Sequence, residues 1–244
     1  MSQALQSLGI TSQVHEKVFS DDFAVLGFIN CKNEALAKWM AHCLSGDWPV
    51  VCMDNGGMVS PDCDVVSSAT NLGWGGGVNV LMKYALASYP KAKGVWVCND
   101  DIFGASQHMG AQLLDTISHH SDVAVVSPSV EGPGNKGLWN TGKNKLLTVS
   151  FVDMVCPMFS SDAWRIVGEL DLTLGVGHGL DIDWCHRAKR LGFELLRDER
   201  LTVWHPHPLT TCDAQGTTKL HQSGWRQNLE KKWGQSADIL ATTL

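Results

Sequence analysis

Phe23-Ala-Val-Leu-Gly-Phe-Ile-Asn30 is apolar at odd and even positions alike. A strand with one wet face alternates, whereas one buried on both faces does not, so this run predicts a central strand of a parallel sheet. The spacing then changes. Leu36, Trp39, Met40, Cys43 and Leu44 recur at helical intervals, with Asn33 in place to cap the helix. Pro49 to Met53 predicts a second strand, closing in the turn sequence Asp54-Asn55-Gly56-Gly57. Asp64 to Ser67 is a short third strand. The stretch Asn71-Leu-Gly-Trp-Gly-Gly-Gly77 predicts a loop, followed by a helix from about Val78 to Ser88. Gly94 to Cys98 is the next apolar run.

The second half is less regular. Val123 to Ser127 and Val152 to Phe159 predict strands, and Ser161 or Asp162 caps a short helix between them and the Gly-rich stretch Gly175, Gly177, Gly179. Ser129 to Lys145, rich in Gly and Asn, predicts a mobile loop. Asp181 to Leu191 has helical spacing, Thr202 to Trp204 is a short strand ending at His205, and a last amphipathic helix runs from roughly His221 to Trp233.

Strands alternating with helices predict a parallel sheet covered on both faces. Right-handed crossovers then bring Asn30, Asp54, Asn71 and Asp100 to one rim. Ligands of open α/β sheets bind outside the carboxyl ends of the strands. The triplet Asn99-Asp100-Asp101 stands at such an end. Adjacent carboxylates there suit a hard divalent cation, which takes oxygen ligands and shares them with substrate phosphates.

Composition narrows the choice. The 244 residues are 44% hydrophobic and 18% charged, which is globular rather than disordered. A net charge of −6 argues against a dominant nucleic-acid surface. Eight cysteines stand singly without a CxxC pair, which excludes the usual zinc and dithiol spacings and suits a reducing compartment. Met1 to Asp22 lacks a signal-peptide core, and no stretch is long and apolar enough to span a bilayer. The expectation is a cytoplasmic protein. Ten tryptophans are many; most predict core, and some are placed to stack on a flat ligand.

Four segments in order resemble inverting family 2 glycosyltransferases, particularly the rhamnosyltransferase-like branch. Asn71-Leu-Gly-Trp-Gly-Gly-Gly-Val-Asn79 resembles N-x-G-x-x-x-G-x-N. Val51-Cys-Met-Asp54-Asn55-Gly56 resembles the strand-end DN-G/S motif. Val97-Cys-Asn99-Asp100-Asp101 resembles the D-x-D position. Gly179-Leu-Asp181-Ile-Asp183-Trp-Cys-His-Arg187 through Gly192 resembles E-D-x-D-x-x-x-R-x-x-x-x-G. The resemblance spans about Phe23 to His207.

It implies a GT-A fold, an α/β architecture with a Rossmann-like, mostly parallel central sheet flanked by helices. Residues 1–22 would be an N-terminal extension. Residues 23–244 would be a single domain, with a nucleotide-sugar half over 23–127 and an acceptor half with the C-terminal helix over 128–244. The implied activity is metal-dependent, inverting transfer of a sugar from a nucleotide-diphosphate donor, UDP- or dTDP-linked, to an acceptor hydroxyl. Mn²⁺ or Mg²⁺ is the implied cofactor. The acceptor is a glycan, a metabolite or, less in keeping with the charge, a modified DNA base. Carried over residue by residue, Asp54 hydrogen-bonds the base, and Asn30, Asn71, Gly73, Asn79, Asn99 and Asp100 lie along the nucleotide. Asp101 and His205 hold the metal, Asp181 is the general base, Trp139 lies on the acceptor side, and Asp183 supports the structure or lies on the acceptor side. Leu180 stands where the family has an acid, and Asn99 replaces the first acid of D-x-D. Two other classes share some of these features: a sugar-nucleotide pyrophosphorylase or nucleotidyltransferase, and a catalytically degenerate sugar-binding module. The first lacks its expected Gly-rich loop with a basic residue after strand one, where Asn30-Cys31-Lys32-Asn33 stands instead. The second is opposed by the intact Asp54, Asp101 and Asp181.

Overall fold

The computed structural model describes residues 11–13, 22–57, 59–132, 142–206 and 224–242. Among the described residues, nine strands form one sheet in the order β1-β4-β3-β2-β5-β8-β6-β9-β7. They are β1 (Thr11–Gln13), β2 (Ala24–Asn30), β3 (Val50–Asn55), β4 (Asp64–Ser68), β5 (Gly94–Asn99), β6 (Val123–Glu131), β7 (Leu146–Thr148), β8 (Met158–Ser160) and β9 (Glu194–Trp204). The helices are α1 (Glu34–Cys43), α2 (Gly73–Ser88), α3 (Gln107–His119), α4 (Ser161–Val167), α5 (Leu180–Arg190), α6 (Trp225–Trp233) and α7 (Ala237–Thr242).

The pairings β4-β3-β2-β5 are parallel. Strand β8 runs antiparallel to both β5 and β6, and β6 is parallel to β9. The carboxyl ends of β2, β3, β4, β5, β6 and β9 therefore share one rim. The chain leaves β2 toward β3 and β4, then returns to the other side of β2 as β5. That reversal is a topological switch point, where open sheets form their crevice. Strand β1, inside the stretch expected to be an extension, pairs antiparallel to β4 at the sheet edge.

Alternate residues of the central strands feed two cores. Val25, Ile29, Val51, Met53, Val95 and Val97 pack with α2, α4 and α5 on one face. Leu26, Phe28, Cys52, Trp96 and Cys98 pack with α1 and α3 on the other. Period-two alternation thus survives inside a continuous apolar run because both faces are dry. Trp96 and Trp184 are fully buried, and each indole N–H finds a backbone carbonyl, that of Cys156 and of Gly168. Truncating either to Ala would cost about 3–5 kcal/mol. Asn33 caps α1 as its position predicts, its side-chain oxygen accepting from the Leu36 N–H at 3.1 Å.

Several expectations shift. The glycines expected in a loop form the first turns of α2. They fit there because the start of α5 and the segment before it lie directly on them: a Cβ at Gly75 would sit 2.2 Å from Leu180 Cδ1 and 3.0 Å from Leu172 Cδ2. The run Val152 to Phe159 is strand only from Met158, and the expected loop after Ser127 begins later because β6 continues to Glu131. Strand β9 is much longer than its expected three residues and accommodates a bulge near Asp198. The cap of α4 is Ser160, one residue earlier than expected. Among the described residues six cysteines are free, whereas Cys31 is disulfide-bonded, which departs from the reducing compartment that the cysteine spacing suits. Among the described residues, no helix is long and apolar enough to cross a membrane.

Candidate functional site

The rim residues of β2 and β5 meet across the switch point. Asn30 is fully buried and donates from its amide to Asp100 at 2.6 Å, while its side-chain oxygen accepts from the Asn33 N–H. Asn99 accepts from the Trp74 indole at 2.8 Å, tying β5 to the start of α2. Asn71 lies beside the end of β3, where its side-chain oxygen accepts from Asn55 at 3.0 Å. Asn55 also donates to the Gly73 carbonyl and accepts from the Leu72 N–H. Motif matching named Asn55 without giving it a role, yet it is the residue that fixes this loop to the rim.

Asp54 is 2% exposed and holds the turn after β3. It accepts from the Gly57 N–H at 3.1 Å, the Ser67 hydroxyl at 3.1 Å and the Val59 N–H at 3.4 Å. Asn79 lies deeper along α2. Its amide clamps the backbone of Leu170, donating to the carbonyl at 3.0 Å and accepting from the N–H at 2.9 Å. The structure therefore does not gather Asn79 with the rim residues.

Asp101 and His205 do come together, as expected. Residues 103 and 204 form a two-bond antiparallel bridge, Phe103 N–H to the Trp204 carbonyl at 2.7 Å and the reverse at 2.9 Å. The His205 N–H donates to the Glu131 carbonyl at 2.7 Å. Those contacts hold His205 Nε2 3.2 Å from Asp101 Oδ1, with both side chains largely buried. Among the described residues, no group of three or more His, Cys, Asp or Glu side chains is gathered tightly enough to hold a metal ion. A pair is the donor set suited to a small hard cation that keeps waters and is completed by substrate phosphates. The residues present fit such an ion.

Asp181 sits in the first turn of α5, half-buried, where its carboxylate accepts from the Ile182 N–H at 2.8 Å. Burial raises its pKa against the opposing pull of nearby N–H groups. Asp153 has its pKa raised as well, by burial first and then by the charge of Asp181, while His205 and the Val155 N–H act in the other direction. Asp153, Asp181 and His205 are therefore electrostatic neighbours. Asp153 was missed from sequence because its segment reads as one apolar strand; a single acid within that run was the available signal. Cys185, one turn after Asp181, meets the Val152 backbone, with N–H to sulfur at 3.4 Å, and joins the two acidic segments.

Asp183 does not belong to the open site. It is fully buried and its carboxylate accepts from Arg187 at 3.0 Å, Trp233 at 2.9 Å and Lys232 at 2.7 Å. Two residues along a helix turn the side chain by about 200°, so Asp181 and Asp183 point to opposite sides. Of the two roles expected for Asp183, the geometry gives the structural one: a hub that ties α5 to α6. Trp139 lies outside the described residues. A separate hollow of about 340 Å³, lined by Ala111, Gln112, Asp115, Asp198, Arg200 and Leu201, contains none of these groups.

No protein-family model matches the chain, and no curated protein matches it by sequence. Solved structures do. The chain is similar to GalNAc-T7, solved with UDP, GalNAc and Mn²⁺, with a TM-score of 0.61 at 10% identity over 77% of this chain and 44% of that one. It is also similar to the mannosyltransferase PcManGT from Pyrobaculum calidifontis, solved with GDP-Man and Mn²⁺, with a TM-score of 0.61 at 12% identity over 89% of this chain and 67% of that one. The chain thus spans less than half the length of the first and about two thirds of the second. The likeness fixes the architecture: an α/β GT-A fold.

Proposed function

We propose that this GT-A chain is a metal-assisted glycosyltransferase that moves a sugar from a nucleotide-diphosphate donor to an acceptor hydroxyl with inversion. The observation that carries the reading is the convergence, on one rim, of the Asp101–His205 pair with the raised-pKa acids Asp181 and Asp153. Both similar structures were solved with Mn²⁺ and a nucleotide or nucleotide sugar, which supports the same class of donor here.

Asp101 and His205 would hold the ion, which supplies neutralisation of the charge that gathers on the leaving diphosphate. The other roles belong to the chain itself. The Asn30–Asp100 pair and the Asn55–Asn71 tie form the wall along which the nucleotide lies. Asp54 shapes that wall through its turn, where its carboxylate accepts from three groups, and the acceptor capacity of a carboxylate lets it meet the base as well. Ionised Asp181 accepts the proton of the attacking hydroxyl. As the new bond forms at the anomeric carbon, the bond to the phosphate oxygen breaks, and its electron pair leaves with the diphosphate. Attack from the side opposite the leaving group inverts the centre.

The test is a thermal-shift panel of UDP-, dTDP- and GDP-linked sugars with and without Mn²⁺, on the native chain and on Asp101→Asn. At a hundredfold excess over Kd, a true donor stabilises the native chain by about 2.7 kcal/mol. That gain should require Mn²⁺ and vanish in Asp101→Asn. No stabilisation by any donor, or an equal metal response in the variant, overturns the assignment.

A further inference from the structure

The backbone that leads into Asp181 rests against a tryptophan. Gly179 precedes α5 in the left-handed region, with φ +82°. A Cβ there would sit 2.6 Å from Trp225 Cε3 and 3.1 Å from Leu229 Cδ1, so only glycine allows the indole this close. The ring therefore bears on the chain two residues before the proposed base. Resting on the transferase reading above, we infer that Trp225 is the platform of the acceptor subsite and that it takes a saccharide ring.

Four features support this assignment. Trp225 is half-buried on a helix turn whose neighbours Gly224, Arg226, Gln227 and Asn228 are exposed. Its indole N–H meets no acceptor among the described residues, which leaves it available to a ligand hydroxyl. The His178 ring lies 6.2 Å away at 32°, exposed beside the indole. Val176, 39% exposed, extends the apolar surface along the same loop.

The Arg226 guanidinium stands 4.7 Å over the ring, marking its electron-rich face. Its carboxylate partner is Asp238, and the two side chains are 60% and 82% exposed. Such a pair is weak and screened, so the arginine yields the face to a ligand at little cost. A pyranose offers a face of C–H bonds with positively polarised hydrogens, and hydroxyls around its edge. That matches an aromatic face bordered by an indole N–H and an imidazole. A nucleic-acid acceptor would face a chain of net charge −6, with Arg226 already neutralised by Asp238.

Saturation-transfer NMR on the full chain, with methyl glucoside, galactoside, mannoside and N-acetylglucosaminide as probes, tests the assignment. At least one glycoside should show ring-proton contact with the native chain. Its affinity should fall about tenfold in Trp225→Ala and be largely kept in Trp225→Phe. Should Trp225→Ala fail to fold by circular dichroism, Trp225→Leu keeps the apolar packing on Gly179 while removing the aromatic face, and the same loss is expected. Unchanged binding in these variants, silence from every glycoside with the native chain, or contact from nucleosides and oligonucleotides alone would overturn the inference. Thermal shift with nucleotide sugars and Mn²⁺ in the same samples separates the two levels. Loss of donor binding by the native chain removes the transferase reading, whereas intact donor binding without a Trp225 effect removes only the platform.

Discussion

The strand ends of the two halves treat polar groups in opposite ways. Around β2, β3 and β5, each polar side chain is matched to another: Asn30 to Asp100, Asn55 to Asn71, Asn99 to Trp74, and Asp54 to its turn. A buried polar group without a partner costs about 1–3 kcal/mol, so these pairings are what allows polar residues to end buried strands. At the other half, burial disfavours the charges of both Asp153 and Asp181, and the charge of Asp181 raises Asp153 further. That arrangement is poor for stability and good for proton transfer, because a base works best with a pKa near the working pH. The first half is built to hold a rigid wall, the second to hold a reactive one.

The contrast breaks most visibly at Asp181. Asp181→Asn keeps the size and the contact with the Ile182 N–H but removes the basic oxygen. Transfer should fall by about 10²–10⁴-fold, the span of general base catalysis, while donor affinity stays close to native. Steady-state kinetics together with donor titration read both quantities. Near-normal turnover would assign the proton to another group.

In the first half the same kind of change should act on stability. Asp54→Ala leaves the Gly57 N–H and the Ser67 hydroxyl without their acceptor beside a buried strand end. The expected cost is about 1–3 kcal/mol, read as a drop of several degrees in thermal unfolding. Donor affinity would weaken through the loosened turn. A variant with native unfolding temperature and weakened donor binding would instead show that Asp54 touches the nucleotide directly.

How far the sequence was legible follows the same division. Apolar runs bounded by turn residues located β2, β3, β4 and β5 within a residue or two, because strands dry on both faces leave a strong composition signal. The Asp101–His205 contact was also reachable, since motif order supplied what spacing does not: the two residues are far apart in the chain and meet only through the Phe103–Trp204 bridge. Other features depend on tertiary contacts. The glycines at 75–77 read as a loop, but they are helical because another segment packs onto them. The motif separates Asp181 from Asp183 in role, but only the helix phase shows that Asp183 turns inward to bind Arg187 and Trp233. Asp153 was hidden in an apolar run that the fold interrupts.

The smallest expected effect is the most specific to the second half. Transfer requires ionised Asp181, so activity should rise with pH through the range in which the pair titrates, about 6 for Asp181 and about 7 for Asp153. The two carboxyls share that titration, and the apparent values belong to the pair. Asp153→Asn removes the neighbouring negative charge while keeping the shape. Asp181 ionises first, while Asp153 still holds its proton, so in Asp153→Asn the acid limb should narrow to the single step near 6, with the contribution near 7 gone. Asp171→Asn provides the contrast, because Lys232 and Thr173 hold that carboxyl down at about 2 and it stays ionised across the whole range. Its substitution should leave the limb in place. A limb that keeps its step near 7 in Asp153→Asn, or that loses it equally in Asp171→Asn, would mean that the two acids do not titrate as neighbours and that the reactive character of this half has another source.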